Sequence, residues 1–127
     1  MVEVKVADEV WIATALLHQQ HPERSTFRVQ EIVDRAAALG LYQPLRPGVL
    51  THATQHCVAN KRPNPGGYRM LYAAGRGERR LFRTGDVAHP HRSGKTTPNR
   101  EEIPEAYLPL LDWYDYVYDC SGAAKSR

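Results

Sequence analysis

Residues 27–61 read FRVQEIVDRAAALGLYQPLRPGVLTHATQHCVANK, with a helical pattern on either side of a proline-rich turn. Phe27 is predicted to have an extended conformation. The apolar residues after it recur at helical spacing at Val29, Ile32, Val33, Ala36 and Leu39. Gly40 follows directly, which is the usual position of a left-handed glycine that ends a helix. We therefore expect a helix that ends at Gly40.

The turn occupies residues 43–48, where two prolines and a glycine exclude a helix. Helical spacing resumes after it at Leu50, Ala53, Cys57 and Val58, so a third helix is predicted over residues 49–61. The opposite face of this helix carries hydrogen-bonding side chains and no carboxylate: Thr51, His52, Gln55, His56 and Asn60.

A first helix is predicted upstream, because Val10, Ala13, Thr14 and Leu17 form one apolar stripe. It must stop near His21, since Pro22 disfavours the helical conformation in the residue before it.

Downstream of the third helix, residues 68–72 and 79–83 resemble two strands joined by a glycine-containing link, which predicts a β-hairpin with Arg76 near its tip. Residues 86–102 are expected to form a basic loop. A C-terminal helix rich in aromatic residues is predicted over residues 103–119, with Pro109 in its first turn, and residues 120–127 are expected to be a frayed tail.

Charge is distributed unevenly along the chain. Residues 46–100 contain 11 basic and 2 acidic side chains, a net charge of +9, whereas residues 1–45 carry −2 and residues 101–127 carry −4. Such a concentration of positive charge is typical of proteins with a polyanionic partner, although a solvated basic surface is the alternative.

The order helix, helix, proline–glycine turn, helix, hairpin is that of a winged helix-turn-helix domain. The prediction is a mainly α fold with a small β-hairpin. A three-helix core and wing would cover residues 6–85, and the extra C-terminal helix would pack on this core or on a dimer partner. An α-helix fits the major groove of DNA, so base contacts are assigned to the third helix, at Thr51, His52, Gln55 and His56. Six basic residues are predicted as further nucleic-acid contacts: Arg46, Lys61, Arg62, Arg76, Arg79 and Arg80. Of these, the arginines after the third helix and on the wing are assigned to phosphates.

Four segments within residues 8–85 resemble the HARE-HTH type of winged helix. They are residues 27–33, 39–41, 46–50 and 80–83. This family is associated with chromatin proteins, RNA polymerase subunits and restriction enzymes. The resemblance implies a DNA-binding adaptor or a regulator of transcription, and it extends neither to the basic loop nor to the C-terminal helix.

Other functions are set against this one. A zinc site would need His52, His56 and Cys57 with His89 or His91, but the glutamate of a His-Glu-x-x-His motif and the paired cysteines of structural zinc sites are missing. The best nuclease candidate would combine Glu78 or Asp86 with His89, but their spacing follows no known catalytic pattern. No enzyme activity, no metal and no cofactor are therefore expected. A protein-interaction module that uses the acidic C-terminal helix, such as an accessory subunit or an antitoxin-like partner, remains the alternative, and RNA remains open beside DNA.

The location of the protein is also predicted. No stretch approaches the roughly 20 apolar residues that span a bilayer, so we expect no membrane partner. The two cysteines, Cys57 and Cys120, are too few for a disulfide scaffold, and Cys57 in a helical apolar pattern is expected to be a buried, inert thiol. These features are typical of a cytoplasmic protein, associated with the nucleoid if it binds DNA.

Overall fold

The computed structural model describes residues 3–63 and 67–119 of the chain. Its α-helices are α1 (Val6–Gln20), α2 (Val29–Leu39), α3 (Gly48–Thr51) and α4 (Leu108–Trp113). A π-helical turn continues α3 over His52–His56, and we call the two together the third helix. A second π-helical turn continues α4 over Tyr114–Tyr118, and this pair is the fourth helix. Short 3-10 turns occur at Arg100–Glu102 and Glu105–Tyr107.

Three short strands form an antiparallel sheet in the order β1–β3–β2, with β1 at Phe27–Arg28, β2 at Leu71–Gly75 and β3 at Glu78–Leu81. The turn between β2 and β3 has two residues, and its Gly77 has a φ of 74°, a left-handed conformation that suits glycine. Among the described residues the fold is therefore mainly helical with a small hairpin, which confirms the coarse prediction.

The signals that end the first two helices are confirmed. α1 ends one residue before His21, and Gly40 caps α2 with a φ of 67°. Phe27 is extended and pairs with Arg79 of β3. No helix in the described ranges combines the length and the apolar character needed to cross a membrane.

The predicted end of the third helix is wrong. The helix stops at His56, and the following residues pair with β2 through a parallel bridge between Val58 and Leu71. The amide side chain of Asn60 bonds both backbone groups of Ala73, at 3.0 Å and 2.9 Å. The backbone groups of Cys57 and Ala59 bond those of Met70 and Leu71, at 2.7–3.1 Å, instead of continuing the helix. The chain therefore leaves the helix five residues before the predicted end. The strands are likewise displaced from the predicted 68–72 and 79–83.

The α1 helix lies at the centre of the fold and is buried on nearly every side. Even two carboxylates in its first turn are inaccessible to solvent, Asp8 and Glu9. The ammonium of Lys95 lies 3.1 Å from Asp8, and the guanidinium of Arg46 lies 2.7 Å from Glu9. Burial raises the pKa of Asp8, and the bond from Lys95 opposes that shift. Acids at a helix N-terminus also gain from the helix dipole, so these pairs fix the start of α1.

The fourth helix packs on α1 and on the end of β3. Tyr114 makes an edge contact with Trp11, with ring centroids 5.9 Å apart. The hydroxyl of Tyr118 donates to the carbonyl of Leu81 at 2.8 Å, and that of Tyr114 donates to the carbonyl of Phe82. Pro109 occupies the first turn as predicted. The predicted tail, residues 120–127, lies outside the described residues.

A buried histidine joins these elements. His18 of α1 packs its ring between Phe27 and Tyr118, at centroid distances of 4.9 Å and 4.7 Å. Its Nε2 accepts a hydrogen bond from the backbone N–H of Leu81 at 3.2 Å, which requires the neutral ring. Burial, with the charges of Arg83 and Arg80 as lesser causes, lowers the pKa of His18 to about 3.

Folding stability is therefore expected to fall on acidification below about pH 6.5. Between the unfolded pKa of 6.5 and the folded pKa of about 3, only the unfolded chain binds the proton on His18, so acid favours unfolding. This linkage predicts a loss of about 2 kcal/mol between pH 8 and pH 5, measured by urea denaturation. The variant His18→Gln, whose amide oxygen can still accept from Leu81, should lose this pH dependence. An equal loss in the variant would contradict the assignment.

Candidate nucleic-acid interface

The outer side of the third helix presents uncharged polar groups. Thr51 and Gln55 are exposed on it, one turn apart. Leu50, half-exposed at 50%, lies beside Thr51. Residues 48–63 contain no carboxylate, so this helix and the segment after it repel no phosphate. Of the four side chains predicted to contact bases, Thr51 and Gln55 are the accessible pair.

The two histidines of the third helix are half-buried. The Nδ1 of His52 bonds the carbonyl of Gly48 at 2.9 Å, and the rings of His52 and His56 meet edge to face at 4.9 Å. Burial lowers the pKa of His52, which favours its neutral form. His52 is thereby turned toward its own helix, and it is a poorer candidate for base contact than Gln55.

The C-terminal end of the third helix is held by two buried arginines. Arg79 of β3 donates to the carbonyls of Ala53 and Thr54, at 3.1 Å and 3.4 Å. Arg92 of the basic loop donates to the next two carbonyls, those of Gln55 and His56, at 2.7 Å and 2.9 Å. The last carbonyls of a helix lack helical partners and carry partial negative charge, so two guanidiniums are well matched to them.

Arg92 also fixes the chain that follows the helix. Its Nε donates to the carbonyl of Lys61 at 2.6 Å, and its Nη1 donates to that of Tyr68 at 2.7 Å. Only 5% of Arg92 and 3% of Arg79 is exposed, and no carboxylate of the described residues pairs with either guanidinium. Burial lowers the pKa of both arginines. The end of the third helix therefore sits on two positive charges neutralised only by carbonyl dipoles.

A groove opens at this end of the helix. It is lined by Gln55, Lys61, Arg62 and Pro63. Lys61 and Arg62 are exposed, and burial, with the charge of Arg79 as a second cause, lowers the pKa of Lys61. The groove has a positive potential that would attract anions.

The hairpin is fixed beside the third helix. The bonds from Asn60 to Ala73 and from Arg79 to Ala53 join β2 and β3 to the helix and its connecting segment. Arg76 is exposed in the turn at the hairpin tip. These bonds place the base of the hairpin next to the third helix and the groove, and the hairpin turn is bonded to the start of α2 through the carbonyl of Gly77 and the N–H of Val29.

Three arginines predicted as nucleic-acid contacts are held by partners inside the protein. Arg46 pairs with buried Glu9, and its guanidinium lies 3.5 Å from the centroid of the Tyr42 ring. Arg80 makes a two-pronged pair with Asp86, at 2.8 Å and 2.9 Å. Arg79 is buried under the third helix, as described above. Each of the three guanidiniums is held by a partner inside the protein, although the Nε of Arg46 has no hydrogen-bond partner. The structure therefore argues against phosphate contact by these three.

The chain was also compared with known protein families, curated proteins and solved structures. No match was found in any of the three. The chemistry of the interface is accordingly drawn from its own contacts: accessible donors and acceptors on a helix, cations at the helix end, and one cation on the hairpin tip.

The described residues contain no cluster of three or more His, Cys, Asp or Glu side chains that could hold a metal ion. Cys57 is buried, as predicted, and burial raises the pKa of its thiol, which disfavours the reactive thiolate. The rings of His89 and His91 lie 5.2 Å apart, and the Nδ1 of His89 accepts the backbone N–H of His91. The histidines are thus engaged in local contacts.

Proposed function

We propose that this protein binds double-stranded DNA through the third helix, the groove at its end and the hairpin tip, in the manner of a winged helix. The observation that carries the proposal is that the exposed polar side chains of Thr51 and Gln55 and the exposed cations Lys61, Arg62 and Arg76 lie on elements that are joined by hydrogen bonds. In such a complex the uncharged side chains contact base edges, and the cations contact phosphates.

The dimensions of the third helix agree with this function. A helix with its side chains is about 10–12 Å across, which suits a major groove about 12 Å wide, and the third helix offers nine residues, Gly48–His56. The order of elements supports a winged helix, and β1 adds the third strand beside β3. The resemblance to the HARE-HTH type supports a role as an adaptor on DNA or as a regulator of transcription.

Salt dependence provides the first test. We expect a fluorescent duplex to bind with an affinity that falls steeply as the salt concentration rises. The variant Arg76→Ala should bind more weakly on every duplex sequence and should reduce the slope of log K against log salt by about 0.9, the value for one lost phosphate contact.

The matched control is Arg100→Ala, which removes the same charge from a side chain that pairs with Asp112 of the fourth helix. This variant should bind like the unmodified protein. Equal losses in the two variants would show that only the overall charge matters, and the absence of duplex binding at low salt would exclude the proposed function.

A second candidate function is docking of a protein partner on the fourth helix. It is favoured by two apolar side chains that are exposed there, Tyr116 at 77% and Val117 at 57%, beside the exposed carboxylate of Asp115. Native mass spectrometry of a pull-down distinguishes the two functions. A stoichiometric protein partner that survives nuclease and high salt, and is lost in Val117→Asp, would favour this candidate.

A further inference from the structure

We propose that the groove lined by Gln55, Lys61, Arg62 and Pro63 is a phosphate-binding site in its own right, with Lys61 and Arg62 binding the anion in front of the buried Arg92. The proposal rests on the proposed function for the source of the phosphate, which would be the DNA backbone. The groove would bind one phosphate group of that backbone.

The backbone that lines the groove is bonded to a buried cation, Arg92. The guanidinium of Arg92 bonds the carbonyls of three of the four lining residues, namely Gln55 at 2.7 Å, Lys61 at 2.6 Å and Arg62 at 3.5 Å. Because Arg92 is nearly inaccessible to solvent, water screens its charge less than it would screen a surface charge.

The walls of the groove add two exposed cations. No carboxylate of the described residues forms an ion pair with Lys61, Arg62, Arg79 or Arg92. Positive charges are thus gathered without an ion-pair partner among the described residues. Burial lowers the pKa of Lys61, and the charge of Arg79 lowers it as a second cause. An anion would relieve the repulsion between these two cations and would favour the charged form of Lys61.

The available donors suit a phosphate. A guanidinium such as that of Arg62 can donate two parallel bonds to two phosphate oxygens, and an ammonium binds a third oxygen as a point charge. The amide of Gln55 offers a further donor at the rim. A phosphodiester of DNA and a free phosphate share this chemistry, so the test uses both.

The experiment is competitive acetylation of the lysines, followed by peptide mass spectrometry. The chain has four lysines, at positions 5, 61, 95 and 125. Lys5 is the internal reference, because it is exposed and a salt bridge to Glu102 raises its pKa. Three additions are compared at constant ionic strength: sodium chloride, inorganic phosphate, and a short DNA duplex.

We expect inorganic phosphate at about four times the dissociation constant of the site, where about four-fifths of the sites are occupied, to slow the acetylation of Lys61 by about fivefold, with little effect on Lys5. The duplex should protect Lys61 as well. In Arg62→Ala the protection by inorganic phosphate should disappear, whereas in Arg76→Ala it should persist, because Arg76 lies outside the groove. Both side chains are exposed, so neither change removes a core contact.

The outcomes separate the two proposals. Protection by inorganic phosphate without protection by the duplex would support the site and contradict DNA as the partner. Protection by the duplex alone would overturn the phosphate site and leave duplex binding standing. No protection by either, or protection that persists in Arg62→Ala, would also overturn the site.

Discussion

Replacement of Arg92 by alanine is expected to destabilise the protein by about 3–5 kcal/mol. The guanidinium donates to the carbonyls of Gln55, His56, Lys61 and Tyr68 at 2.6–2.9 Å, and it is almost fully buried. Its removal leaves the carbonyls of His56, Lys61 and Tyr68 without this donor in a site from which water is largely excluded, whereas that of Gln55 still accepts the N–H of Val58. Each unsatisfied group costs about 1–3 kcal/mol before the structure relaxes.

Urea denaturation with a common slope for all variants measures this loss. Arg92→Lys keeps the charge, but an ammonium has only three donors and cannot reproduce the planar guanidinium, so an intermediate loss is expected. His91→Ala, one residue away and exposed, is the control and should change stability by less than about 0.5 kcal/mol. A loss below about 1 kcal/mol in Arg92→Ala would show that the helix end does not depend on this residue.

The second large effect concerns Arg46. The variant Arg46→Ala should lose about 3–5 kcal/mol of stability, because the buried carboxylate of Glu9 then has no ion-pair partner. The Glu9 side chain is wholly inaccessible, and its Oε2 already lacks a hydrogen-bond partner. The loss arises inside the protein, so the affinity of the folded variant for a duplex should not change.

A double-mutant cycle isolates the pair. Glu9→Gln removes the buried charge, so the combined change Arg46→Ala with Glu9→Gln should cost less than the sum of the two single changes. Strict additivity would argue against a direct pair. A folded Arg46→Ala protein with intact stability and weakened duplex affinity would restore the sequence prediction of a nucleic-acid contact.

Much of the fold could be predicted because its signals are local. Pro22 ends α1, Gly40 caps α2, and Gly77 permits the tight hairpin turn. Each of these depends on the backbone preferences of one or two neighbouring residues. The prediction of the end of the third helix was wrong because the apolar spacing of Val58 suits a helix and a strand-like segment equally. Its actual partner, Leu71, lies on another strand, which local spacing does not reveal.

The candidate site was only partly predictable, because a sequence does not distinguish an exposed arginine from a buried one. The two-residue period of a strand is the signal that was missed. Leu81 points to the core, so Arg79 must share its inward face. For Arg46 and Arg92 no such signal exists, because their partners are far away in the chain, 37 residues from Arg46 in the case of Glu9.

The role of the basic loop could not be foreseen from composition. The glycine and proline content of the loop predicted irregular structure, and most of the loop is irregular in the structure. Its cations, however, reach into the protein: Arg92 to the end of the third helix, and Lys95 to Asp8 at the start of α1. The loop thus stabilises the C-terminal end of the proposed DNA-binding helix. Lys61, Arg62 and Arg76 remain exposed on the surface of the protein.

The most direct test of the central claim is a map of backbone amide shifts in the NMR spectrum as a short DNA duplex is titrated in at low salt. We predict the largest changes in residues 51–56, 61–62 and 75–78, which belong to the third helix, the groove and the hairpin tip. Changes confined to residues 112–118 of the fourth helix, or none at all, would contradict the claim.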